Sequence, residues 1–133
     1  MPDPLPLAAA GILALLGMLH LTCTLRDLTG KPRFFRPRDA DLLSSMRETK
    51  VALAPGGRDY WTALLGFHIS HSLAVLMLAL LIVVASAEAL TALLWLTISL
   101  TALYAFIAWR FWFAIPMWGC IVATALLLAG LIT

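Results

Sequence analysis

Residues 60–86 read YWTALLGFHISHSLAVLMLALLIVVAS, and between Asp59 and Glu88 no side chain carries a permanent charge. A helix rises ~1.5 Å per residue, so ~20 residues cross a hydrocarbon core of ~30 Å, and this run crosses with some tilt. Tyr60 and Trp61 open it as an aromatic pair, and His68 and His71 lie inside it. Helical spacing puts the two histidines on neighbouring positions of one face.

Working outward, comparable apolar runs occupy residues 5–25, 89–109 and 114–132. The first, in MPDPLPLAAAGILALLGMLHLTCTL, has Asp3 as its only early side-chain charge and no Lys or Arg ahead of it. That flank, with Thr22 before Cys23, reads as a retained transmembrane helix rather than a signal peptide or lipoprotein leader. Pro116 is tolerated if it falls in the first turn of the last run, where its missing N–H costs little. Gly11, Gly17, Gly119 and Ala123 are expected to let helices approach closely.

The 133 residues are 62% hydrophobic and 12% charged, with mean hydropathy +0.97. A soluble domain is usually about a quarter charged, so an ordinary soluble fold is excluded. The expected fold is all-α: an integral membrane four-helix bundle, up-and-down, in which residues 1–133 form a single transmembrane domain. Cys23 and Cys120 both sit in apolar runs, lack metal-knuckle spacing and read as helix-packing residues.

Residues 26–59 change character. They hold eight of the nine basic residues, Arg26, Lys31, Arg33, Arg36, Arg38, Arg47, Lys50 and Arg58, against five acids. Gly30 and Pro32 break the first helix. Residues 38–53 predict a short amphipathic helix, because Leu42, Leu43, Met46, Lys50 and Leu53 recur at helical spacing. The remaining basic residue, Arg110, lies in the third connection, whereas Asp3 and Glu88 are the charges of the opposite side. The positive-inside rule therefore predicts a basic cytoplasmic connection and both termini on the non-cytoplasmic side. Trp61, Trp109, Arg110 and Trp112 are expected as membrane-interface anchors. Phe34 and Phe35 beside Arg33 and Arg36 read as a further interfacial anchor and not as a nucleic-acid surface. The partners expected are membrane lipids, with another membrane protein or a second copy along a lateral face.

Chemistry can reside at the histidines. His68 and His71 lie ~12 and ~16 Å along their helix, and His20 lies ~7–8 Å from the same cytoplasmic interface. All three can share the cytoplasmic half of the bundle, with Trp95 and Tyr104 as candidate walls. Polar groups at such depth are costly unless paired. In one reading the imidazoles hydrogen-bond to hold helices in register within an accessory or scaffold protein. In the other they line a cavity for a small hydrophobic ligand, lipid or haem, with acid–base chemistry available to imidazole. His20 and His68 would suit haem if they came from facing helices. No intramembrane carboxylate accompanies them, which argues against a di-iron site or a proton-coupled antiporter. Walker, HExxH and dinucleotide glycine patterns are absent from the sequence. These residues assign no metal, no cofactor and no catalytic group, and leave open whether the protein is an enzyme.

The short four-span layout, the stretch GRDYWTALLGFHISHSL and the late boundary AWRFWF resemble small, largely uncharacterised bacterial inner-membrane protein families. The resemblance implies a bacterial inner-membrane location and carries no activity to individual residues.

Overall fold

Each apolar run becomes a helix. The computed structural model describes residues 4–52, 56–88, 90–111 and 114–132. Its helices are α1 (Pro4–Thr29), α2 (Ala40–Glu48), α3 (Tyr60–Ala87), α4 (Thr91–Phe111) and α5 (Ala114–Ile132). Four of these, all but α2, are long and apolar enough to cross a membrane. In none of the four is more than 28% of the most apolar window buried. Leu15, Trp109 and Ile115 are each at least two-thirds exposed. A water-soluble bundle would carry polar residues on such outward faces, whereas hydrocarbon accepts apolar ones.

The chain divides into two compact units, one of Met1–Gly17 with Ala74–Thr133 and one of Met18–Leu73. In the first unit, parts of four helices close around one core. α1 contributes Ala9, Ala10 and Leu13, α3 contributes Leu78, Ala79 and Ile82, α4 contributes Ile98, and α5 contributes Cys120, Ala123 and Leu127. The alanines allow close backbone approach, the main source of helix association where lipid is as apolar as leucine. Gly119 allows the same close approach, because a Cβ there would run into the end of the Leu16 side chain and force it to shift. The fully buried Thr97 and Thr101 return their hydroxyls to the preceding turn, and Thr124 bonds across from α5 to Thr101 Oγ1 at 3.0 Å. Gly17 is buried, but Gly11, expected at a helix contact, is exposed and faces open space.

In the second unit, α1 continues one turn past its expected end. Its hydroxyls do not compete with the helix, since Thr22, Thr24 and Thr29 each bond back to the carbonyl four residues earlier. The Gly30 N–H then closes the end on the Arg26 carbonyl at 3.0 Å.

Helix α2 is shorter than the predicted 38–53. Asp39 caps its start by accepting the Asp41 N–H at 2.9 Å, and the Thr49 N–H closes its end on Ser45. Beyond it the β-branched Thr49 and Val51 adopt extended pairing: Val51 N–H bonds Arg58 O at 3.1 Å, and Tyr60 N–H bonds Thr49 O at 2.9 Å. Gly56, at φ +77°, supports the reversal between them. Leu53, the predicted end, lies outside the described residues. The returning chain enters α3 at Asp59, whose carboxylate accepts both the N–H and the hydroxyl of Thr62 at 2.9 Å. Those Thr62 bonds hold the Asp59 carboxyl below its ordinary pKa.

Candidate functional site

The second unit brings all three histidines together. His20 comes from α1, His68 and His71 from successive turns of α3, and each is half-buried. His20 Nε2 lies 3.0 Å from His68 Nδ1. One nitrogen donates and the other accepts, so this contact requires at least one of the two rings to be neutral. The His71 ring meets His20 edge-on, with centroids 5.6 Å apart. Behind the rings, the backbone carbonyls of His20 and His68 accept the buried hydroxyls of Thr24 and Ser72.

A residue from the connection covers this group. Phe35 stacks on His68, with centroids 4.3 Å apart and planes 25° from parallel, and contacts His20 at 4.9 Å. What holds Phe35 there is Asp27, which is only 2% exposed. Its Oδ1 accepts the Arg33 N–H at 2.8 Å, its Oδ2 accepts the Phe35 N–H at 2.7 Å, and both oxygens share the Phe34 N–H. Hydrogen bonds from consecutive amides to a charged acceptor are the strong kind, and they offset the burial of the carboxylate.

Sequence spacing singles out neither Asp27 nor Phe35 as a site residue. One signal was present. An acid in the last turn of a helix opposes the macrodipole, so Asp27 at the end of α1 calls for dedicated donors nearby. The sequence could not say that those donors are backbone amides six to eight residues ahead.

The other candidates are placed differently. Tyr104 packs against the apolar core of the first unit, while Trp95 in that unit is 53% exposed. Trp61, expected at the headgroup level, is buried within the second unit, whereas Trp109 and Arg110 are exposed. Trp112 lies outside the described residues.

The arrangement constrains the chemistry. One nitrogen of His20 is used on one nitrogen of His68, Phe35 stacks on His68, and His71 joins the group edge-on through His20, so the three rings form a contacting cluster. A haem plane needs an imidazole on each face, whereas here the His20 and His68 nitrogens bond directly to each other. Among the described residues, no group of three or more His, Cys, Asp or Glu is placed to hold a metal ion. Among the same residues, every buried side-chain nitrogen or oxygen has a hydrogen-bond partner.

Fold and composition together define a small multi-pass helical membrane protein. No family model, curated protein or solved structure matches the chain.

Proposed function

We propose that this chain is an accessory or scaffold protein of a bacterial inner membrane, and that its histidine cluster is a structural clasp. In this reading His20, His68 and His71 take no part in turnover. They give the connection between α1 and α3 a fixed seat, through Phe35, so that its basic segment is presented in one conformation. The observation that carries the reading is the direct 3.0 Å bond between His20 and His68 beneath the Phe35 ring. Two imidazoles bonded directly to each other, one of them under a stacked ring, support a holding role.

The charge distribution supports the connection on the cytoplasmic face and both termini on the other, with eight of nine basic residues between α1 and α3. The apolar lateral faces then contact lipid, another transmembrane protein or a second copy.

Cross-linking in native membranes, followed by purification of the tagged chain, tests the role; a defined membrane-protein adduct is expected. A homogeneous monomer that acquires no partner and turns over a substrate would replace the scaffold with an enzyme. Sidedness is checked by labelling Arg47→Cys and Glu88→Cys after Cys23 and Cys120 have been changed to Ala. Arg47→Cys is expected to react from the cytoplasm and Glu88→Cys from the opposite side.

A further inference from the structure

The second unit carries a half-open groove of about 540 Å³ lined by Lys31, Pro32, Arg33, Arg36, Leu43 and Arg47. Four of those six residues are cations, and none is an acid. We propose that this groove binds the phosphate of an anionic phospholipid headgroup, with Lys31, Arg33, Arg36 and Arg47 around the phosphate and Pro32 and Leu43 beneath the glycerol. The inference deepens the accessory reading by naming what the connection grips, and rests on that reading for the connection's position at a membrane surface.

Local structure explains why the cations converge. Asp27 draws the amides of residues 33–35 inward and seats the Phe35 ring on the histidines, while Arg33 and Arg36 on either side stay exposed. Leu43 and Arg47 are four residues apart on α2 and share a face, so the short helix adds one apolar and one cationic group to the same groove.

Two nearby acids make local bonds. Asp39 caps α2, and Glu48 accepts the Ser44 hydroxyl at 3.3 Å. The three amides keep the Asp27 carboxylate charged, and it attracts Arg36 only electrostatically, with its own hydrogen bonds made to the backbone of residues 33–35. Gathering like charges around a shared hollow costs energy through repulsion, and a bound anion removes that cost. Guanidinium groups match phosphate through paired N–H donors.

The lipid is favoured over a free phosphate compound by what surrounds the groove. Phe34 and Leu42 are exposed apolar side chains beside the basic residues, and the Arg33 guanidinium lies 5.8 Å from the Phe34 ring centroid. Apolar groups interleaved with cations suit the boundary between headgroups and acyl chains. The volume falls within the range of small-molecule sites and accommodates more than a bare phosphate.

The test uses the full chain in zwitterionic detergent micelles, titrated with phosphatidylglycerol, phosphatidylcholine or inorganic phosphate and read by native mass spectrometry. Three proteins are compared: the natural chain, a groove variant (Arg33→Gln, Arg36→Gln, Arg47→Gln) and an equal-charge control outside the groove (Arg38→Gln, Lys50→Gln, Arg58→Gln). Phosphatidylglycerol is expected to bind the natural chain and the control alike. At roughly fivefold for each basic residue, the groove variant is expected to lose on the order of a hundredfold in affinity. Leu43→Phe, which fills the floor without changing charge, is expected to weaken the same binding, and gives an independent reading should the triple variant not fold.

Equal loss in the groove variant and the control would overturn the site in favour of diffuse attraction. Equal binding of phosphatidylcholine would overturn the anionic headgroup. Full displacement of the lipid by inorganic phosphate at similar concentration would overturn the lipid in favour of a soluble phosphate compound. Failure of the accessory reading would appear separately, as a reversed labelling pattern or an absent adduct, with micelle binding intact.

Discussion

The Asp27 carboxylate accepts the backbone N–H of Phe35 at 2.7 Å, and the Phe35 ring in turn stacks 4.3 Å from the His68 imidazole. One acid at the end of α1 thereby sets where the first eight residues beyond it can go. An aromatic side chain that the sequence reading put among membrane anchors becomes the cover of a histidine cluster. The order of dependence runs from carboxylate to backbone to ring, and the cluster's enclosure rests on that first step.

Asp27→Asn is expected to release the connection. The amide keeps one acceptor oxygen but turns an N–H₂ group towards backbone donors, and hydrogen bonds to a charged group contribute about 1.5–3 kcal/mol. Hydrogen exchange of the amides of residues 33–35 should accelerate, while that of α4 and α5 should stay unchanged. Unaltered protection at Phe35 would contradict the role assigned to Asp27.

The His20–His68 bond is measurable by a double-mutant cycle of His20→Ala, His68→Ala and the pair. Each single change strands a ring nitrogen, so the two losses should not add. A coupling of about 1 kcal/mol in thermal or denaturant unfolding in micelles is expected. Strictly additive losses would mean that the two rings do not support each other.

Gly119→Ala is expected to destabilise the protein by about 1–3 kcal/mol, because the new methyl group meets the Leu16 side chain. Adding Leu16→Ala should recover part of the loss by vacating that space. Thermal unfolding in micelles of the single and double variants is the measurement. No recovery would mean that α5 meets a different obstacle.

The start of α3 should depend on pH through Asp59. Its carboxyl pKa is held below its ordinary value by the N–H and hydroxyl of Thr62. The unfolded chain therefore binds the proton more readily, and the cap's contribution is fully present above the ordinary carboxylate value near ~4. It is lost as pH falls through the lower folded value. The protection of Thr62 and Ala63 amides, relative to their intrinsic exchange rate at each pH, should fall on acidification below about pH 4, and Asp59→Ala should show that loss of protection at neutral pH. Indifference of the Asp59→Ala variant would show that the cap does not hold this turn.

Much of the architecture was open to reading in one dimension because its cause is local. Hydropathy over ~20 residues is a property of contiguous sequence, so α1, α3, α4 and α5 follow from their runs. The clustering of Lys and Arg between α1 and α3 is equally visible. Helical spacing also put His68 beside His71, a short-range relation. Where competing local preferences met, as at Thr49 and Val51, the outcome depended on a pairing partner across the turn, and α2 ended at Glu48.

What the order of residues could not convey was the set of meetings between distant segments. His20 reaches His68 across 48 positions, and Phe35 arrives over both because Asp27 has used the amides around it. Gly119 packs closely against Leu16 whereas Gly11 faces open space, although both are glycines in apolar helices. Trp61 is buried and Trp95 half-exposed, a difference that their positions along the spans do not convey. Hydrophobicity in a membrane protein is nearly uniform around each helix and so sets length but not rotation. The inward face of each helix is selected instead by side-chain shape and by the few polar groups that must find partners.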